Sequence, residues 1–576
     1  MRIYKLLLAA SLGISTAGLS NQAAADQGEP QPVSRATVTT DNAMVAAANP
    51  LAVKAGVDVL AAGGTAADAA VAVQMMLNLV EPQSSGIGGG AFMLYWDAAA
   101  EKLITFDGRE KAPASATPAY FQNADGETLK WWDAVPGGRS VGVPGTLKLL
   151  EHVHQKHGNQ PWTDLMLPAI ATARQGFKVS PRLAQSIAGA QQRKLDMFES
   201  TRDYFFNEDG SPLVEGSYLT NDKFARALRD IAEQGSAPFY TGRIAADIVA
   251  AVKTETNPGE LTLDDLKSYE VIERQPVCVP YRAFDVCGMG PPTSGGLTMG
   301  QILTLLSNHD LPSMGPSIEA WHLYIEAAKL AYADRGMYMA DSDFVDMPEG
   351  LLDKTYLTAR AGLIDPAAAM GKASAGTPPE EDAFRFSPDL QPEREGTSHF
   401  SIVDQSGNII SMTTTIETGF GSRVMTNGFL LNNELTDFSF KDMKDGKPVA
   451  NRVEGGKRPR SSMSPTIAFK DGKPVLAIGS PGGSRIINYV TQKVIAILDW
   501  EMDLQSALDL PHVVNRNGAT DLEENTGATD YQQDLEALGH EVKVRGLNSG
   551  LHAIAIKDGK LHGAADSRRE GIAAGF

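Results

Sequence analysis

A glycine–threonine pair directly before a predicted strand offers the chemistry of an N-terminal nucleophile. Gly396 and Thr397 precede the alternating segment HFSIVD, and a short turn leads into the return segment IISMTTTIE. A threonine hydroxyl is a weak nucleophile without a nearby base, but a threonine at a chain terminus can use its own α-amine, whose pKa is about 8. Cleavage between Gly396 and Thr397 would create that terminus. A Gly-Thr pair before a strand is common, so on these residues alone the structural interpretation is favoured and the catalytic one stays open.

Two other groups of residues have the letters of a catalytic site but lack its context. His154 and His157 could share a helix face and bind a metal, yet no HExxH motif or separate carboxylate cluster completes such a site. Ser140 stands in GRSVG, which fits the GxSxG pattern of serine hydrolases, but Pro144 breaks the turn into a helix that this pattern requires. We interpret the histidines as a solvated helix end and the serine as part of a loop, and we predict no metal.

The two cysteines of the chain, Cys278 and Cys287, lie in the segment VCVPYRAFDVCG, which predicts strand, turn and strand. Cysteines that face each other across a hairpin can form a disulfide in an oxidising compartment. A reactive thiol would instead need a lowered pKa and a base, and no histidine lies nearby in the sequence. The disulfide is therefore the favoured prediction.

The segments that must position these residues predict a core of helices and strands. Asn49-Pro50 is typical of a helix start and Gly63-Gly64 of a helix end, and an Ala-rich helix that begins at Thr65 is apolar on most sides, which predicts burial. The glycines within 86–90 follow this helix and precede a strand, whereas a phosphate loop needs strand, glycines and helix in that order. Residues from about 371 to 395 lack apolar periodicity, which predicts a mobile, exposed segment.

Composition and charge favour an enzyme that acts on small molecules. The 576 residues are 43% hydrophobic and 21% charged, which is enough apolar material for a large core. The formal net charge of −19 at pH 7 argues against a nucleic-acid partner or an anionic membrane, because phosphate binding depends on clustered Lys and Arg.

The first residues have the three parts of an export signal. Arg2 and Lys5 give a positive start, residues 6–19 an apolar run, and Ala23-Ala24-Ala25 a cleavage site of small residues, so we predict cleavage before Asp26. The apolar run is shorter than the roughly 18 residues that a membrane span needs. We expect export to a periplasm or to the outside of the cell, with no membrane anchor.

Several longer stretches of the sequence favour the catalytic interpretation of the Gly-Thr pair. They are NPLAVKAGVDVLAAGGTAADAAVA, EPQSSGIGGGAF, FDGREKAPA, VGVPGT, PPTSGG, GTSHFSIVDQSGN, LLNNELTDFS, KRPRSSMSPTI and GSPGGSRI. In content and order they resemble the γ-glutamyltranspeptidase family over nearly all of the chain after the signal segment. The resemblance implies an α/β N-terminal-nucleophile hydrolase fold, an αββα four-layer sandwich with two central sheets between helical layers, and no cofactor.

The same resemblance implies a precursor that cuts itself. Residues 26–396 would form a large subunit and residues 397–576 a small one, and the two would stay together as a heterodimer with one shared core. Thr397 would first break the bond to Gly396 and then serve as the nucleophilic N-terminus of the small subunit.

Matched positions imply the rest of the catalytic machinery. Thr415, on the return strand, corresponds to the residue whose hydroxyl supports the nucleophile. Gly482 and Gly483 correspond to the oxyanion hole, where backbone without side chains can direct N–H groups at a developing alkoxide.

A γ-glutamyl donor carries both a carboxylate and an ammonium, so its pocket needs charges of both signs. Arg109 matches the residue that binds the α-carboxylate, for which a guanidinium fork suits a bidentate contact. Ser461 and Ser462 match the hydroxyl donors beside it, and Glu434 and Asp437 match the positions that receive the α-ammonium.

Three features depart from the commoner family pattern. Glu417 stands where many members have Asn, which resembles a bacterial branch that contains more hydrolytic enzymes and relatives that deacylate glutaryl-cephalosporins. Residues 438–456 contain no Tyr, whereas some members have an aromatic lid there, so we expect a more open site. Ser398 and Phe400 conservatively replace Thr and Tyr.

The resemblance thus predicts a γ-glutamyltransferase and hydrolase that acts on glutathione and related γ-glutamyl amides, passing the acyl group to water or to an amino-acid or peptide amine. The alternative within the fold is a cephalosporin or glutaryl acylase with the same nucleophile. Glu434 and Asp437 favour the γ-glutamyl donor, because a glutaryl chain lacks the ammonium they would bind. A catalytically silent, uncleaved protein is the alternative from another class.

Overall fold

The structure is a computed structural model that describes residues 35–379, 385–389 and 396–576. The predicted export signal and its cleavage site lie outside the described residues, as does part of the segment from 371 to 395. The α-helices are α1 Pro50–Ala61, α2 Ala66–Val80, α3 Trp131–Ala134, α4 Thr146–His157, α5 Trp162–Gln175, α6 Pro181–Gln191, α7 Glu199–Phe205, α8 Asp222–Gln234, α9 Ala237–Tyr240, α10 Arg243–Ala251, α11 Leu263–Lys267, α12 Gly295–Leu306, α13 Leu311–Met314, α14 Ile318–Tyr338, α15 Lys354–Ala361, α16 Ile486–Leu498, α17 Leu504–Asp509 and α18 Gln532–Ala537.

Strands outnumber helices in the described part of the chain, and most belong to two seven-stranded sheets. The strands are β1 Val38–Thr40, β2 Met44–Ala47, β3 Gly90–Asp97, β4 Lys102–Gly108, β5 Phe177–Lys178, β6 Tyr218–Leu219, β7 Ile272–Arg274, β8 Val277–Tyr281, β9 Phe284–Gly288, β10 Thr397–Val403, β11 Ile409–Thr415, β12 Met425–Thr426, β13 Phe429–Leu430, β14 Met443–Lys444, β15 Lys447–Pro448, β16 Thr466–Lys470, β17 Lys473–Gly479, β18 Val513–Val514, β19 Thr520–Glu523, β20 Val542–Arg545, β21 His552–Lys557, β22 Lys560–Ala565 and β23 Ile572–Gly575.

Local sequence signals explain the first two helices. Asn49 accepts a hydrogen bond from the Leu51 N–H at the start of α1, and Thr65 forms a reciprocal capping box with Asp68 at the start of α2. Helix α2 is buried along its whole length because it packs on α1, α4 and α5 as well as on the sheet. Both helices and the burial of the second confirm the sequence prediction.

The architecture has four layers. One sheet has the order β1-β22-β21-β17-β16-β9-β8 and the other β23-β2-β10-β11-β3-β4-β7, and neighbouring strands in both are antiparallel. Helices α1, α2 and α4 cover the second sheet, while α12 and α16 cover the first, and the two sheets pack on each other. This αββα sandwich confirms the predicted fold class.

The hairpin β10–β11 lies in the middle of the second sheet and begins at Thr397. Phe400 and Ile402 point into the apolar core on the helix side. On the opposite face, Ser401 donates a hydrogen bond to the carbonyl of His552 on β21, so this face looks toward the other sheet. Thr397 shares that face by the two-residue period of a strand, which directs its hydroxyl into the space between the sheets.

Both sheets mix strands from before and after Gly396. In one, β10 pairs with β2 on one side and with β11 on the other, and β11 in turn pairs with β3. In the other, β16 pairs with β9, and β22 pairs with β1. Neither stretch of the chain therefore completes a sheet by itself.

Other predictions from the sequence can be compared directly with the structure. Ser140 is buried in a short 3₁₀ turn and donates to the carbonyls of Val135 and Gly137, which supports its interpretation as a loop residue. Cys278 and Cys287 are partners across the β8–β9 hairpin and form a disulfide. Within the described ranges, no cluster of His, Cys, Asp and Glu could hold a metal, and no helix is long and apolar enough to cross a bilayer.

The expectation of an exposed segment between about 371 and 395 is wrong for the part that the structure describes near its end. Ser387 and Asp389 are 4% and 6% exposed. The Ser387 N–H donates to the Pro448 carbonyl and the Asp389 N–H to the Gly336 carbonyl. Tertiary hydrogen bonds of this kind order a polar segment that has no apolar periodicity to reveal it.

Buried histidines predict a loss of stability in acid. Burial lowers the pKa of His540 and His552 to about 3, and the pKa of His399 and His512 well below the usual value. Below about pH 6.5 the unfolded chain binds protons that the folded chain does not, so the free energy of unfolding falls as the pH decreases toward 3. Urea unfolding midpoints measured from pH 7 to pH 4 should show this decline.

A matched pair of variants tests whether a buried histidine causes this pH dependence of stability. His540→Gln should reduce the pH dependence of the midpoint, whereas the same change at the partly exposed His562 should leave the dependence as in the parent. A parent midpoint that does not change between pH 6.5 and pH 4 would contradict the prediction.

Candidate active site

A small cavity at the start of β10 brings together side chains that are far apart in the sequence. It is lined by Arg109, Thr397, Thr415, Glu417, Glu434, Asp437, Ser461, Ser462, Met463, Gly483 and Ile486. All the predicted catalytic and substrate-binding residues are present except Gly482, which directly precedes Gly483. Their individual roles stay predictions, but the structure places them around one space.

The hydroxyl of Thr415 lies between the predicted nucleophile and the predicted cleavage site. Its Oγ1 is 3.3 Å from Oγ1 of Thr397 and 3.3 Å from the carbonyl oxygen of Gly396. It also accepts a hydrogen bond of 2.8 Å from the Glu417 N–H. Because this acceptor contact orients the hydroxyl, its proton is available either to the Gly396 carbonyl, which it would polarise, or to Thr397.

Gly396 lies where no side chain fits. A Cβ built on it would be 2.2 Å from the carbonyl oxygen of Glu417 and 2.3 Å from the carbonyl carbon of Thr418. Since both obstacles are backbone atoms, a larger residue would displace the 417–419 loop from the bond between Gly396 and Thr397. This contact explains in physical terms why glycine precedes the threonine.

Two long-range contacts hold the start of β10, and sequence reasoning missed both. Nη1 of Arg569 donates to the Thr397 carbonyl at 3.2 Å, and the Ser398 hydroxyl donates to Oε2 of Glu81 at 2.7 Å. Arg569 and Glu81 are themselves 3.8 Å apart. Glu81 lies at the end of a predicted helix and Arg569 near the C-terminus, so only their charge in otherwise buried surroundings could have drawn attention to them.

The glycines after β17 adopt backbone conformations that favour glycine. Gly482 has φ 137° and Gly483 φ 59°, and a 3₁₀ turn over Gly483–Arg485 leads directly into α16. A Cβ on Gly482 would lie 2.5 Å from the Tyr489 ring. The turn thus places the backbone of Gly483 at the cavity, directly before a helix whose N-terminus favours negative charge.

Arg109 is the buried cation of the cavity. Nη1 donates to Glu434, Nη2 donates to Asp437 at 2.7 Å, and Nε donates to the Pro459 carbonyl at 3.1 Å. The guanidinium fork that we expected to hold a ligand carboxylate thus contacts two carboxylates of the protein. A bound carboxylate would have to displace at least one of them.

The acidic side chains around Arg109 exceed its positive charge. Glu434, Asp437 and Glu110 all lie within 4 Å of its guanidinium. Burial raises the pKa of Glu434 well above its usual range and that of Glu110 to about 7, although Arg109 opposes both shifts. A second cation in this cavity, such as a ligand ammonium, would stabilise the ionised forms. Glu110, which sequence reasoning also missed, directly follows Arg109 in the chain.

The adjacent serines are fixed by residues of the large N-terminal stretch. Nη2 of Arg335 on α14 donates to the Ser462 hydroxyl at 2.7 Å, and Ser294 donates to the Ser461 carbonyl at 2.7 Å. Because the Ser462 oxygen accepts from Arg335, its own proton remains available for a ligand. Arg335 was not predicted, since a charged residue in a long helix is usually solvated.

Glu417 lines the cavity beside Thr415. Its Oε2 accepts a hydrogen bond of 2.6 Å from Asn433, and its backbone has φ 75°, which is uncommon for a residue other than glycine. The backbone conformation and the amide contact place the Glu417 side chain at the cavity.

Comparison with known proteins is consistent across sequence and structure. The family model described as gamma-glutamyltranspeptidase matches residues 52–576. A glutathione hydrolase proenzyme of Bacillus subtilis (strain 168) is 38% identical over 92% of this chain and 91% of its own length. An acylase ACY 1 proenzyme of Pseudomonas sp. (strain SE83) is 34% identical over 92% of each chain. The crystal structure of a cephalosporin acylase from Bacillus halodurans is 28% identical, with a TM-score of 0.84 over 96% of this chain and 98% of that one.

Proposed function

Because the chain belongs to the γ-glutamyltranspeptidase family, we propose that it hydrolyses and transfers the γ-glutamyl group of glutathione and related amides, with Thr397 as its nucleophile. The arrangement of Thr397, Thr415 and Gly396 beside the charged Arg109 pocket is the observation that carries this proposal. It combines a hydroxyl, a polarised carbonyl and a pocket with charges of both signs in one place.

The first reaction is cleavage of the chain itself. The Thr397 hydroxyl attacks the carbonyl carbon of Gly396, whose oxygen accepts a hydrogen bond from Thr415. The amide bond breaks as the ester bond to Oγ1 of Thr397 forms, and the hydroxyl proton passes to the Thr397 nitrogen. Water then hydrolyses this ester, which leaves a carboxylate on Gly396 and a free α-amine on Thr397. The Bacillus subtilis relative is a glutathione hydrolase proenzyme, which supports such processing into a large and a small subunit.

The second reaction uses the new N-terminus. The α-amine of Thr397 accepts the hydroxyl proton while the oxygen attacks the γ-carbonyl, and N–H groups of Gly482 and Gly483 stabilise the oxyanion. The protonated α-amine of Thr397 then gives its proton to the departing amine, and a γ-glutamyl ester remains on Thr397. Water releases glutamate from this ester, or an amino-acid or peptide amine accepts the γ-glutamyl group.

The Arg109 pocket provides donor recognition. Arg109, Ser461 and Ser462 bind the α-carboxylate, while Glu434 and Asp437 bind the α-ammonium. This ammonium supplies the second positive charge that the pocket lacks in the free protein. A donor without an ammonium would leave the acidic side chains uncompensated.

The direct test measures both the cleavage of the chain and the turnover of the substrate. Intact mass measurement and N-terminal sequencing should find two chains that begin at Asp26 and Thr397, which also tests export with removal of the signal segment. Incubation with glutathione should release cysteinylglycine and glutamate. A single uncut chain without turnover would favour the silent-fold alternative.

The acylase alternative rests on the two acylase relatives and on Glu417. Comparing γ-glutamyl-p-nitroanilide with glutaryl-p-nitroanilide separates the functions, because the two donors differ only in the α-ammonium. We expect kcat/KM to favour the γ-glutamyl compound by at least about 100-fold, which corresponds to one or two charge-assisted hydrogen bonds. A preference for the glutaryl compound would assign the chain to the acylases.

Gly482→Ala is expected to lower kcat by about 10²–10³-fold, the cost of misplacing one oxyanion donor. Alanine does not readily adopt φ 137°, and its Cβ would collide with the Tyr489 ring. The measurement is kcat for γ-glutamyl-p-nitroanilide in protein shown by mass to be fully processed. Gly472→Ala, also at positive φ but in an open turn, is the control, and an equal loss there would contradict the assignment.

A further inference from the structure

A second cavity, of about 490 Å³, adjoins the active site on the other side of the bond between Gly396 and Thr397. Its lining includes six arginines and, among the residues that the structure describes, no Asp or Glu. We call it the arginine cavity; its arginines are Arg182, Arg193, Arg423, Arg485, Arg516 and Arg569. Such a concentration of positive charge is unexpected in a chain whose formal net charge is −19.

Two of these arginines have no described carboxylate within 4 Å of their guanidinium groups, namely Arg193 and Arg423. Arg423 is only 1% exposed and donates to the Thr418 hydroxyl at 3.0 Å and to the Arg193 carbonyl at 3.2 Å. The guanidinium carbons of both lie over the Trp132 ring, 5.4 and 5.5 Å from its centroid. The Trp132 ring thus holds two guanidinium groups close together, but it carries no negative charge that would neutralise them.

Burying a cation without a close counter-ion is costly, and the pKa of Arg423 reflects that cost. Burial lowers the pKa of Arg423 to about 10; the Glu417 carboxylate opposes this shift, and the positive charge of Arg193 adds to it. An anion between the two guanidinium groups would reverse both effects. A bound anion would therefore favour the charged form of Arg423.

The other arginines of the cavity have acidic partners in the protein. Glu81 lies 3.4 Å from Arg182 and 3.8 Å from Arg569. Asp521 lies 3.3 Å from Arg485 and 3.6 Å from Arg516. These four form the wall, and the charge available to a ligand is concentrated at Arg193 and Arg423.

The position of the cavity identifies its ligand. The donor cavity contains Thr397 and the arginine cavity contains Gly396, and the two share no lining residue. A γ-glutamyl group held at Arg109 with its carbonyl at Thr397 fills the first cavity. In this arrangement the group on the nitrogen side of the amide bond extends away from Arg109, and the arginine cavity is the neighbouring space on the Gly396 side.

We propose that the arginine cavity binds the terminal carboxylate of the peptide on the nitrogen side of the γ-glutamyl bond, both in the leaving group and in the acceptor. This proposal rests on the proposed function and adds a substrate class to it, namely γ-glutamyl peptides that end in a free carboxylate. Guanidinium groups suit this ligand because they bind carboxylates in a bidentate manner.

The test compares glutathione with its C-terminal glycine amide, which differs by one charge at the expected contact. The parent enzyme should favour the acid in kcat/KM by about 10–100-fold, the range of one or two exposed to partly buried charge-assisted contacts. Arg193→Gln and Arg423→Gln should reduce this ratio to less than about 3-fold. Arg226→Gln removes an exposed arginine outside the arginine cavity and should keep the full ratio.

Each result decides between specific outcomes. Arg193 is exposed, so its variant should fold and process even if the buried Arg423 variant does not. A ratio near 1 in the parent, or a full ratio in processed Arg193→Gln enzyme, would overturn the carboxylate site. Turnover of γ-glutamyl-p-nitroanilide, measured in parallel, distinguishes this from failure of the proposed function, since loss of all γ-glutamyl turnover in the parent would overturn both.

Discussion

Thr397→Ala is expected to remain a single uncut chain and to lose at least about 10⁴-fold in activity, because it lacks the only group proposed to attack either carbonyl. The Thr415 hydroxyl is 3.3 Å from the Gly396 carbonyl oxygen but lies on the neighbouring strand, paired with Thr397 across the hairpin. We expect it to polarise that carbonyl rather than attack it. Intact mass and release of p-nitroaniline from γ-glutamyl-p-nitroanilide measure the two losses.

Two controls separate chemistry from folding. Thr414→Val removes a neighbouring buried hydroxyl that has no hydrogen-bond partner in the described structure, so processing and turnover should match the parent. Thr397→Ser keeps a hydroxyl and should still be cut, more slowly. Normal cleavage of Thr397→Ala at the same bond would show that another group performs the first reaction.

Arg109→Met is expected to cost about 3–5 kcal/mol in free energy of unfolding and about 10²–10⁴-fold in kcat/KM. The variant leaves Glu110, Glu434 and Asp437 buried without the guanidinium that they surround. At pH 5.5 more of this carboxyl group cluster is protonated and uncharged than at pH 8. The loss of stability relative to the parent should therefore be larger at pH 8 than at pH 5.5. Urea midpoints at both pH values, with steady-state kinetics, provide the measurements.

Arg226→Met is the matched control, since this arginine is exposed and its loss should change the free energy of unfolding by less than about 0.5 kcal/mol. Arg109→Lys retains the charge without the fork, so stability should recover more than kcat/KM does. An Arg109→Met protein with the parent's stability and donor affinity would contradict both the structural and the binding role.

The parts of the fold that could be predicted from the sequence depend on neighbours along the chain. Asn49 and Thr65 cap helices through residues two or three positions away, so their short-range signals are sufficient. The hairpin from Thr397 to Thr415 has a short turn, which fixes the pairing of its strands. The position of Thr415 opposite the nucleophile therefore follows from the local sequence.

The parts that could not be predicted depend on contacts between distant elements. Arg109 and Glu434 are 325 positions apart, and nothing local shows that their side chains occupy the same space. The resemblance identified both residues as ligands of a substrate but did not indicate that they bind each other. Arg423 is a similar case, because its isolation from carboxylates results from how several loops pack.

The alternation of strands from the two sides of Gly396 has a consequence for the proposed cleavage. Strand β10 is hydrogen-bonded on both edges, to β2 and to β11, while the bond between Gly396 and Thr397 is intact. The peptide link therefore lets the sheets assemble as an intramolecular process, and severing it afterwards removes no strand pairing. Two separately made halves would have to find each other with unpaired edges exposed. If the proposed cleavage occurs, the connection at Gly396 would be needed for assembly of the sheets rather than for the pairing of their strands.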